Sequence, residues 1–571
     1  MLETGRIIEL SAPPKVVNPL SVSENSDKKR LILDLRYVNA HVWKEHVKFE
    51  DFKVLKGFIH KDCHMFNFDF KSGYHHVEIF EEHWEFLGFA WSFKGKKRFF
   101  CFVVLPFGLC SAGRIFTKVC RVLVKHWRRN GIKIVIYIDD GIGTAKSLQK
   151  CEWAAKFVKL SIEKSGFIIN AEKSNWVPSQ RTKWLGLEID SHSYTIKITQ
   201  KRVDKVLAKV DSLLTKRRSS ARELSSIAGA IISQEVVMGA ITGLFTRDMY
   251  ACIAKEETWD RKFPLTTEVI NELVFWKENI VTLNLKEMGS KAPPLNGSVL
   301  ASSDASSVAS GAVLTVRGQT HQAHKNLSPK EATHSSTWRE LDAIAFAVES
   351  FAPLLREKTV IWATDNQAAP IIAEKGSNKP HLQNLAKDLY FQCRHHSIDL
   401  KIHWIPRELN IIADEISKQI DYDDWATSEE FFNNINAEWG PFDIDRFANY
   451  KNAKTARFNS RHWNPKCEAV DAFTQDWKED NNWVVPPIYL ISQAINHARV
   501  CQATGAIIVP YWESAPYWPL LRKNTEEFRK YVINFKVFHD TKGILEIGDY
   551  RKSLLGSSRF TSPILAIKFQ F

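Results

Sequence analysis

Two rhythms of apolar and polar residues alternate along the chain. In the first half, short runs of strand length, LILDL (31–35) and KIVIYIDD (133–140), are interleaved with helical patterns. Between 199 and 290 the helical rhythm dominates. Apolar residues return every three or four positions in RVDKVLAKVDSLL (202–214), and ARELSSIAGAI (221–231) continues the pattern. Lys291–Gly297 (KAPPLNG) reads as a linker. Beyond it, VLASSDASSVASGAVLTV (299–316) predicts two strands about a Ser/Gly turn, and STWRELDAIAFAVESF (336–351) predicts a helix. A strand follows in TVIWATD (359–365), then a strand and helix in LKIHWIPRELNIIADEISK (400–418). Residues 421–440 read as an acidic, Asn-rich break, and 442–571, rich in Trp, Pro and Tyr, as a separate unit. No tandem repeat or low-complexity tract interrupts this order. At ~100–200 residues per domain, 571 residues make several domains.

Composition narrows the class. With 44% hydrophobic and 25% charged residues the chain reads as soluble and globular. Its longest apolar stretches, such as Ala506–Pro510, fall far short of a membrane span, so no membrane partner is expected. MLETGRIIEL has no apolar core, which speaks against a secretory signal. The nine cysteines include no C-x-x-C, which argues against a disulfide framework or a structural zinc site. A reducing compartment, cytoplasmic and/or nuclear, is the expectation. The net charge of +13 is not spread evenly: residues 101–250 carry 25 basic against 12 acidic residues, which is the whole excess. A localised basic field fits a polyanion partner, most simply nucleic acid.

The acidic residues carry the chemistry. Asp69 (in FNFDFKSGYHHVEI), Asp139 and Asp140 (in IVIYIDDGIG) each follow a strand-like run, and the second run reads as a hairpin whose turn exposes both aspartates. Converging carboxylates hold two Mg²⁺ (or Mn²⁺) ions ~3.5–4 Å apart in sites of nucleotidyl transfer. Downstream, Asp304, Glu340, Asp365 and Asp414 recur in strand–helix–strand–helix order. Such a set on a mixed sheet suits a second two-metal site, for hydrolysis.

The motifs are wider than these carboxylates. KKRLILDLRYVN (28–39), FDFKSGYHHVEI (68–79), LPFGLCSAGRIFTK (105–118), YIDD (137–140), GFIINAEKS (166–174) and WLGLEID (184–190) resemble, in order, the fingers, first catalytic strand, template-facing segment, Y-x-D-D box, lysine motif and primer grip of reverse transcriptases. The resemblance implies that Asp69, Asp139 and Asp140 bind metal and that Arg30, helped by Lys28, grips the incoming triphosphate. It implies Tyr74 as the sugar gate favouring dNTPs, Lys173 as the proton donor to pyrophosphate, and Phe107, Gly108, Tyr137, Trp184 and Gly186 as lining template, primer and nucleotide. The basic excess then falls where a template–primer duplex would track, with Arg121, Lys125, Arg128, Arg129, Lys201, Arg202, Lys205, Lys209, Lys216, Arg217 and Arg218 as phosphate contacts.

Residues 297–420 resemble ribonuclease H. Their D-A-S, W-R-E-L, T-D-N and A-D-x-x-S pieces place Asp304, Glu340, Asp365 and Asp414 as its metal ligands. Where many such enzymes carry a mobile histidine, this chain has Arg407 and Glu408, so that role is unfilled; His403 reads as structural. The pieces PFDIDRFAN, NSRHWNP, VDAFTQDW, NNWVVPPIYLI and AIIVPYWESAPYWPLL resemble the tail of polymerases from DIRS-type retrotransposons, itself similar to Dam-like adenine-N6 methyltransferases. That family stacks and hydrogen-bonds a flipped adenine on a D/N-P-P-Y/F loop. Here the loop is Val485-Pro486-Pro487-Ile488, without the polar or the aromatic residue, so an inactive domain is expected.

The resulting expectation is a multidomain chain mixing α/β and α+β parts. A right-hand polymerase comes first, with fingers and palm at 1–195 and thumb and connection at 196–290. A ribonuclease H-like mixed sheet (297–420) and a C-terminal α/β domain (435–571) follow. Its partners would be an RNA template, a DNA primer, RNA/DNA hybrid and dNTPs, together with a separately encoded recombinase and Gag-like protein. The alternatives are a non-catalytic nucleic-acid-binding remnant of a retroelement and an adenine-N6 DNA methyltransferase.

Overall fold

The computed structural model describes residues 1–25, 28–93, 95–288, 299–419, 425–524, 527–547, 554–555 and 560–571. The linker expected at 291–297 lies outside the described residues. The chain divides into two units, Met1–Gly239 with Thr258–Ser290, and Ala240–Glu257 with Lys291–Phe571.

The first unit is built around an antiparallel sheet. Its elements are β1 (His64–Asp69), α1 (Ala112–Arg129), β2 (Lys133–Tyr137), β3 (Asp140–Ala145), α2 (Leu148–Lys164) and β4 (Asn175–Ser179), with strand order β4-β1-β3-β2. Phe66, Phe68 and Phe70, two residues apart and therefore on one face, pack on Phe116, Cys120 and Trp127 of α1 and on Ala154, Val158 and Ile162 of α2. A side chain at Gly141 on β3 would fall 2.1 Å from the Phe68 ring, so glycine is what lets the two strands close over the aromatic face.

The fingers form a separate sheet, ordered Ile7–Leu10, Lys96–Phe102, Gly88–Phe93, Val17–Asn18, beside the hairpin Leu20–Asn25/Lys28–Leu33. Beyond the palm, β5 (Arg181–Trp184), β6 (Leu187–Asp190) and β7 (Thr195–Ile198) make an antiparallel sheet. The longest helices that follow are α3 (Gln200–Lys216), α4 (Ala221–Ile232) and α5 (Thr267–Asn279). Helix α3 buries Val203, Val206, Val210 and Leu213, the stripe its apolar period announces, and Ser220 with Glu223 closes a capping box on α4. The assignment of all of 196–290 to thumb and connection needs correction, because residues 240–257 cluster with the second unit. The cause is specific. Gln383 donates to the Leu244 carbonyl (2.7 Å), Lys387 pairs with Asp248 (2.6 Å), and Phe245 packs edge-on to Tyr390 and Phe391.

The second unit contains two large sheets and one two-stranded pair among the described residues. The first comprises β8 (Val299–Ala305), β9 (Ala309–Val316), β10 (Gln319–Asn326), α6 (Ser336–Ser350), β11 (Thr359–Thr364), α7 (Pro380–His395), β12 (Asp399–Trp404) and α8 (Ile411–Ser417). The strand order is β10-β9-β8-β11-β12; the first three are antiparallel, while β8, β11 and β12 run parallel. Leu341, Ile344 and Val348 of α6 fill the core against Leu314, Val360 and Trp362.

The C-terminal part contains α9 (Glu429–Trp439), β13 (Ile444–Asp445), β14 (Arg457–Ser460), β15 (Ala469–Val470), β16 (Asn481–Val484), α10 (Ile491–Val500), β17 (Thr504–Pro510), β18 (Val532–Phe538) and β19 (Ile564–Gln570). Its sheet runs β15-β14-β13-β16-β17-β19-β18, and β19 is antiparallel to both its neighbours. The break expected at 421–440 is corrected: residues 421–424 lie outside the described residues, but Trp425–Thr427 pairs with Leu545–Ile547, and α9 buries Phe431, Phe432, Ile435 and Trp439. The helix spacing of those four residues was masked by the Asn and Glu between them. The domain therefore begins ahead of position 435. Its tryptophans are mostly core, Trp477 and Trp483 being fully buried.

Candidate active sites

At one end of the palm sheet, Asp69 closes β1 directly across from Asp140. Between β2 and β3 the turn is only Ile138-Asp139, and Ile138 takes φ = +56°, a conformation that is costly for a β-branched residue. The Phe70 N–H donates to the Asp139 carbonyl (3.0 Å), which binds the turn to the end of β1. The lysine motif lies against the same carboxylate: Asn170 donates to Asp69 Oδ1 (2.9 Å) and Lys173 Nζ reaches Oδ2 at 3.3 Å. The Asp69 N–H in turn donates to Ser174 Oγ (3.0 Å). Burial first, then the neighbouring carboxylates of Asp139 and Asp69, push Asp140 up to about 6, with Lys173 acting against them. Asn170 and Ser174 were not singled out from sequence; their place inside the GFIINAEKS motif was the available signal.

Tyr74 stands on the turn Gly73–His76, its ring 5.5 Å from Phe107 and 5.6 Å from Phe116. Burial, and then the Asp139 charge, raise its hydroxyl pKa. Gly108 has φ = +111°, and a side chain there would meet the Leu33 carbonyl at 2.1 Å. Asn39, the last residue of the fingers motif, brackets this glycine: it donates to the Gly108 carbonyl (2.9 Å) and accepts from the Cys110 N–H (2.8 Å). The fingers and template-facing motifs are thus stitched together. Tyr137 packs on Phe49 with ring centroids 5.6 Å apart. Trp184 is buried, and its indole N–H points to the Asp140 carbonyl at 3.4 Å, so β5 touches the hairpin that carries Asp139 and Asp140. Gly186 turns the β5–β6 hairpin at φ = +75°. Lys28 and Arg30 stand on the strand Lys28–Leu33; their side chains lie outside the described residues.

Several residues expected on phosphates are used within the fold. Arg128 pairs with Glu50 (2.6 Å) and donates to the Ile134 carbonyl, and Arg121 donates to the Lys48 carbonyl (2.8 Å). Arg202 donates to the Leu185 carbonyl (3.0 Å) and to Ser233, Lys209 to Ser226, and Arg218 to the Lys262 carbonyl.

In the second unit Asp304 ends β8, Glu340 projects from α6, and Asp365 follows β11; their carboxylate oxygens lie within 4.8 Å of one another. Among the described residues this is the one such acidic group; Asp69, Asp139 and Asp140 do not gather as closely, nor does Asp414 join the triad. Glu340 is 5% exposed and accepts from the Ala305 N–H (3.2 Å). Burial, then the charges of Asp304 and Asp365, push it up to about 8. Asp304 is raised by burial, which outweighs the hydrogen bond from Ser417. Ser417 is the serine of A-D-x-x-S, so that motif letter now has a task. Asp414 is held by Lys418 and by Arg407 (3.0 Å), and these bonds keep its carboxyl below the usual range. Two buried acids and a half-buried one this close suit a bound cation, and the oxygen-only donor set suits a hard divalent ion. His403 is exposed on β12.

In the C-terminal part a cavity of about 360 Å³ opens beyond the carboxyl ends of β13–β16, where the strand order reverses. Phe447, Asn449, Phe473, Val485, Pro487 and Tyr489 are among its walls.

Comparison with known proteins gives three family matches. Residues 22–189 match the family described as reverse transcriptase (RNA-dependent DNA polymerase). Residues 298–390 match the RNase H-like domain found in reverse transcriptase, and 415–548 match DNA N-6-adenine-methyltransferase (Dam). The chain is similar to the retrovirus-related Pol polyprotein from transposon 297 of Drosophila melanogaster, 22% identical over 427 residues, 73% of this chain and 37% of that protein. It is also similar to a putative enzymatic polyprotein of Cassava vein mosaic virus, 21% identical over 426 residues, 72% of this chain and 60% of that one. It thus spans less than two thirds of either relative. Among solved structures, the foamy viral protease-reverse transcriptase in complex with RNA/DNA hybrid aligns at TM-score 0.43 and 16% identity, over 75% of this chain and 56% of that one. A form of that protein with dsDNA gives 0.43 and 16%, over 71% and 67%. The chain has the domain make-up of an RNA-directed DNA polymerase joined to a ribonuclease H.

Proposed function

We propose that the chain copies retrotransposon RNA into DNA and cuts the RNA strand of the hybrid it makes. The observation that carries this reading is the end of the palm sheet, where the Tyr137–Asp140 hairpin sets Asp139 and Asp140 beside Asp69 within the segment matching reverse transcriptase. Asp69, Asp139 and Asp140 would hold two Mg²⁺ or Mn²⁺ ions, and Asp304, Glu340, Asp365 and Asp414 a second pair. Bound there, such ions activate a primer 3′-hydroxyl or a water and neutralise charge on the leaving phosphate. The chain's own groups do the rest. The Tyr74 ring excludes a ribose 2′-hydroxyl, Lys173 stands ready to protonate pyrophosphate, and Arg30 with Lys28 grips the triphosphate. Trp184 and Gly186 align the primer end with the catalytic hairpin. RNA template, DNA primer, hybrid and dNTPs are the partners, and a separately encoded recombinase and Gag-like protein would complete a DIRS-type element working in cytoplasm and/or nucleus.

The test is primer extension on an RNA template with Mg²⁺ or Mn²⁺. Incorporation of dNTPs, abolished by a chelator, is expected; no extension on any template with either ion would refute the reading.

A second reading, adenine methylation, is favoured by the Dam match over 415–548 and the cavity at the strand ends. Against it, Val485 cannot accept a hydrogen bond from an adenine amino group, and Ile488 supplies no ring for stacking. We therefore assign the domain no methylation, to be checked by methyl transfer from S-adenosylmethionine to adenine-containing DNA.

A further inference from the structure

The C-terminal domain shares side chains with the nuclease core. Tyr450 and Trp463 pack against the hydrophobic cluster of the nuclease sheet and also against the small C-terminal cluster of Ala448, Phe458 and Cys467. Trp463 extends the nuclease sheet by a parallel bridge to Ala323 on β10, its N–H donating to the Gln322 carbonyl (2.8 Å) and its indole to His321 (3.3 Å). One position further along the same strand face, Lys325 is buried and pairs with Asp342 of α6 (2.5 Å) and with Glu331 (3.2 Å). Its ammonium lies 5.4 Å from the Phe346 ring, on which Tyr450 packs at 5.9 Å.

Asp342 is two residues beyond Glu340 on α6, about 200° around the helix, so the two carboxylates face opposite ways. One side of the helix presents Glu340 to Asp304 and Asp365; the other is gripped by Lys325, with the C-terminal Tyr450 packed behind Phe346. A buried ammonium bound to two carboxylates has one low-energy position, and a helix tied to it cannot slide or rotate freely.

We infer that the C-terminal domain is a buttress for the nuclease site. Tyr450 behind Phe346 and Trp463 against β10 back the nuclease's own Lys325–Asp342 pair, and so fix the rotation and depth of α6 and the position of Glu340. This rests on the ribonuclease H reading above. Lys325 is a positioning residue: it acts on hybrid cleavage through the helix and touches no substrate.

The experiment uses the full chain and measures hybrid cleavage and primer extension side by side. In Tyr450→Ala and in Lys325→Met, the kcat of hybrid cleavage is expected to fall by about 10–100-fold, as for a catalytic group misplaced by an ångström or less. The KM for hybrid and the rate of primer extension stay within about twofold of the parent, since neither depends on the helix. The double variant Lys325→Met/Asp342→Leu removes the more buried of the two stranded carboxylates, the one on α6, and fills the gap with apolar volume; it is expected to regain most of the lost kcat. The inference is overturned if either single variant cleaves within twofold of the parent, if the loss lies wholly in KM, or if the double variant is no better than Lys325→Met. A parent chain that extends primers but cleaves no hybrid overturns the nuclease reading instead.

Discussion

The palm and the nuclease centre each gather acidic side chains at a sheet end, but they manage the charge in opposite ways. In the palm, Asp139 rides on a two-residue turn and Asp140 opens the strand after it, both half-buried, and Lys173 already lies on the third aspartate. In the nuclease, two strands and a helix press Asp304, Glu340 and Asp365 within 4.8 Å, with no cation of the protein paired directly to Glu340 among its hydrogen-bonded partners, Ala305 and Thr364. The protein's cations go to the fourth acid, Asp414. A site with a lysine on one of its acids relieves part of its own repulsion, although Asp140 is still pushed up to about 6. A site that retains the repulsion has its need for a divalent ion built into its stability.

The sharpest way to break this comparison is to remove each centre separately. Asp139→Ala/Asp140→Ala deletes the turn carboxylates and is expected to lower primer extension on the order of 10⁴-fold while hybrid cleavage persists. Survival of synthesis in that variant would mean the palm ligands are misassigned. Asp365→Asn is the reciprocal change. It retains the volume of the side chain, removes one charge from the triad, and should lower hybrid cleavage by about 10³-fold with extension intact. If both activities fall together in either variant, the centres are not independent and the contrast fails.

How these sites could be read beforehand follows from the same contrast. Asp69, Asp139, Asp140, Asp304, Glu340 and Asp365 were legible because each follows a strand-like apolar run or sits on a helix with apolar periodicity, and their order along the chain matched known motifs. What was not legible is where long side chains end. Arg128 and Arg202 sit in the basic stretch as if meant for phosphate, yet Glu50 and the Leu185 carbonyl take them, and no spacing rule announces a partner so far away in the chain. The placement of 240–257 with the second unit depends on Gln383 and Lys387, more than a hundred residues downstream. Helix α9 was missed for a different reason: polar residues outnumber apolar ones in EEFFNNINAEW, although the four apolar side chains fall on one face.

A smaller effect sharpens the palm side. Tyr74 is held between Phe107 and Phe116, and a side chain at Gly113 would come 3.3 Å from its hydroxyl, so the ring has a defined seat facing the catalytic turn. Tyr74→Ala empties that seat. Discrimination between dNTPs and rNTPs, measured as the ratio of kcat/KM values, is expected to fall by about 10–200-fold, the range set by losing one steric contact, while dNTP incorporation itself changes far less. An unchanged ratio would remove Tyr74 from the gate and leave Phe107 as the aromatic to test.

The smallest expected effect bears on the retained repulsion itself. Glu340 is pushed up to about 8, mainly by burial and then by Asp304 and Asp365, whereas in the unfolded chain it titrates near the usual carboxylate value. Between those two values the folded protein holds a proton that the unfolded chain has released. Stability must therefore fall as pH rises through that window, and the loss is complete above about 8. Asp304 is raised and Asp445 is pushed up to about 6, and both add in the same direction; Asp414 is lowered and acts the opposite way at more acidic pH, while His462, pushed down to about 4 by burial, opposes the slope only in the lower part of the window. Without divalent ions, the unfolding temperature of the nuclease unit should fall by at least about 4 °C between pH 5 and pH 8. Saturating Mg²⁺ should flatten the slope by supplying the missing positive charge. Glu340→Gln should flatten it without metal, since the amide never ionises. A metal-free slope of the opposite sign, or one that Glu340→Gln leaves intact, would show that the buried acid is not what the empty site has to bear, and the distinction drawn between the two centres would lose its physical basis.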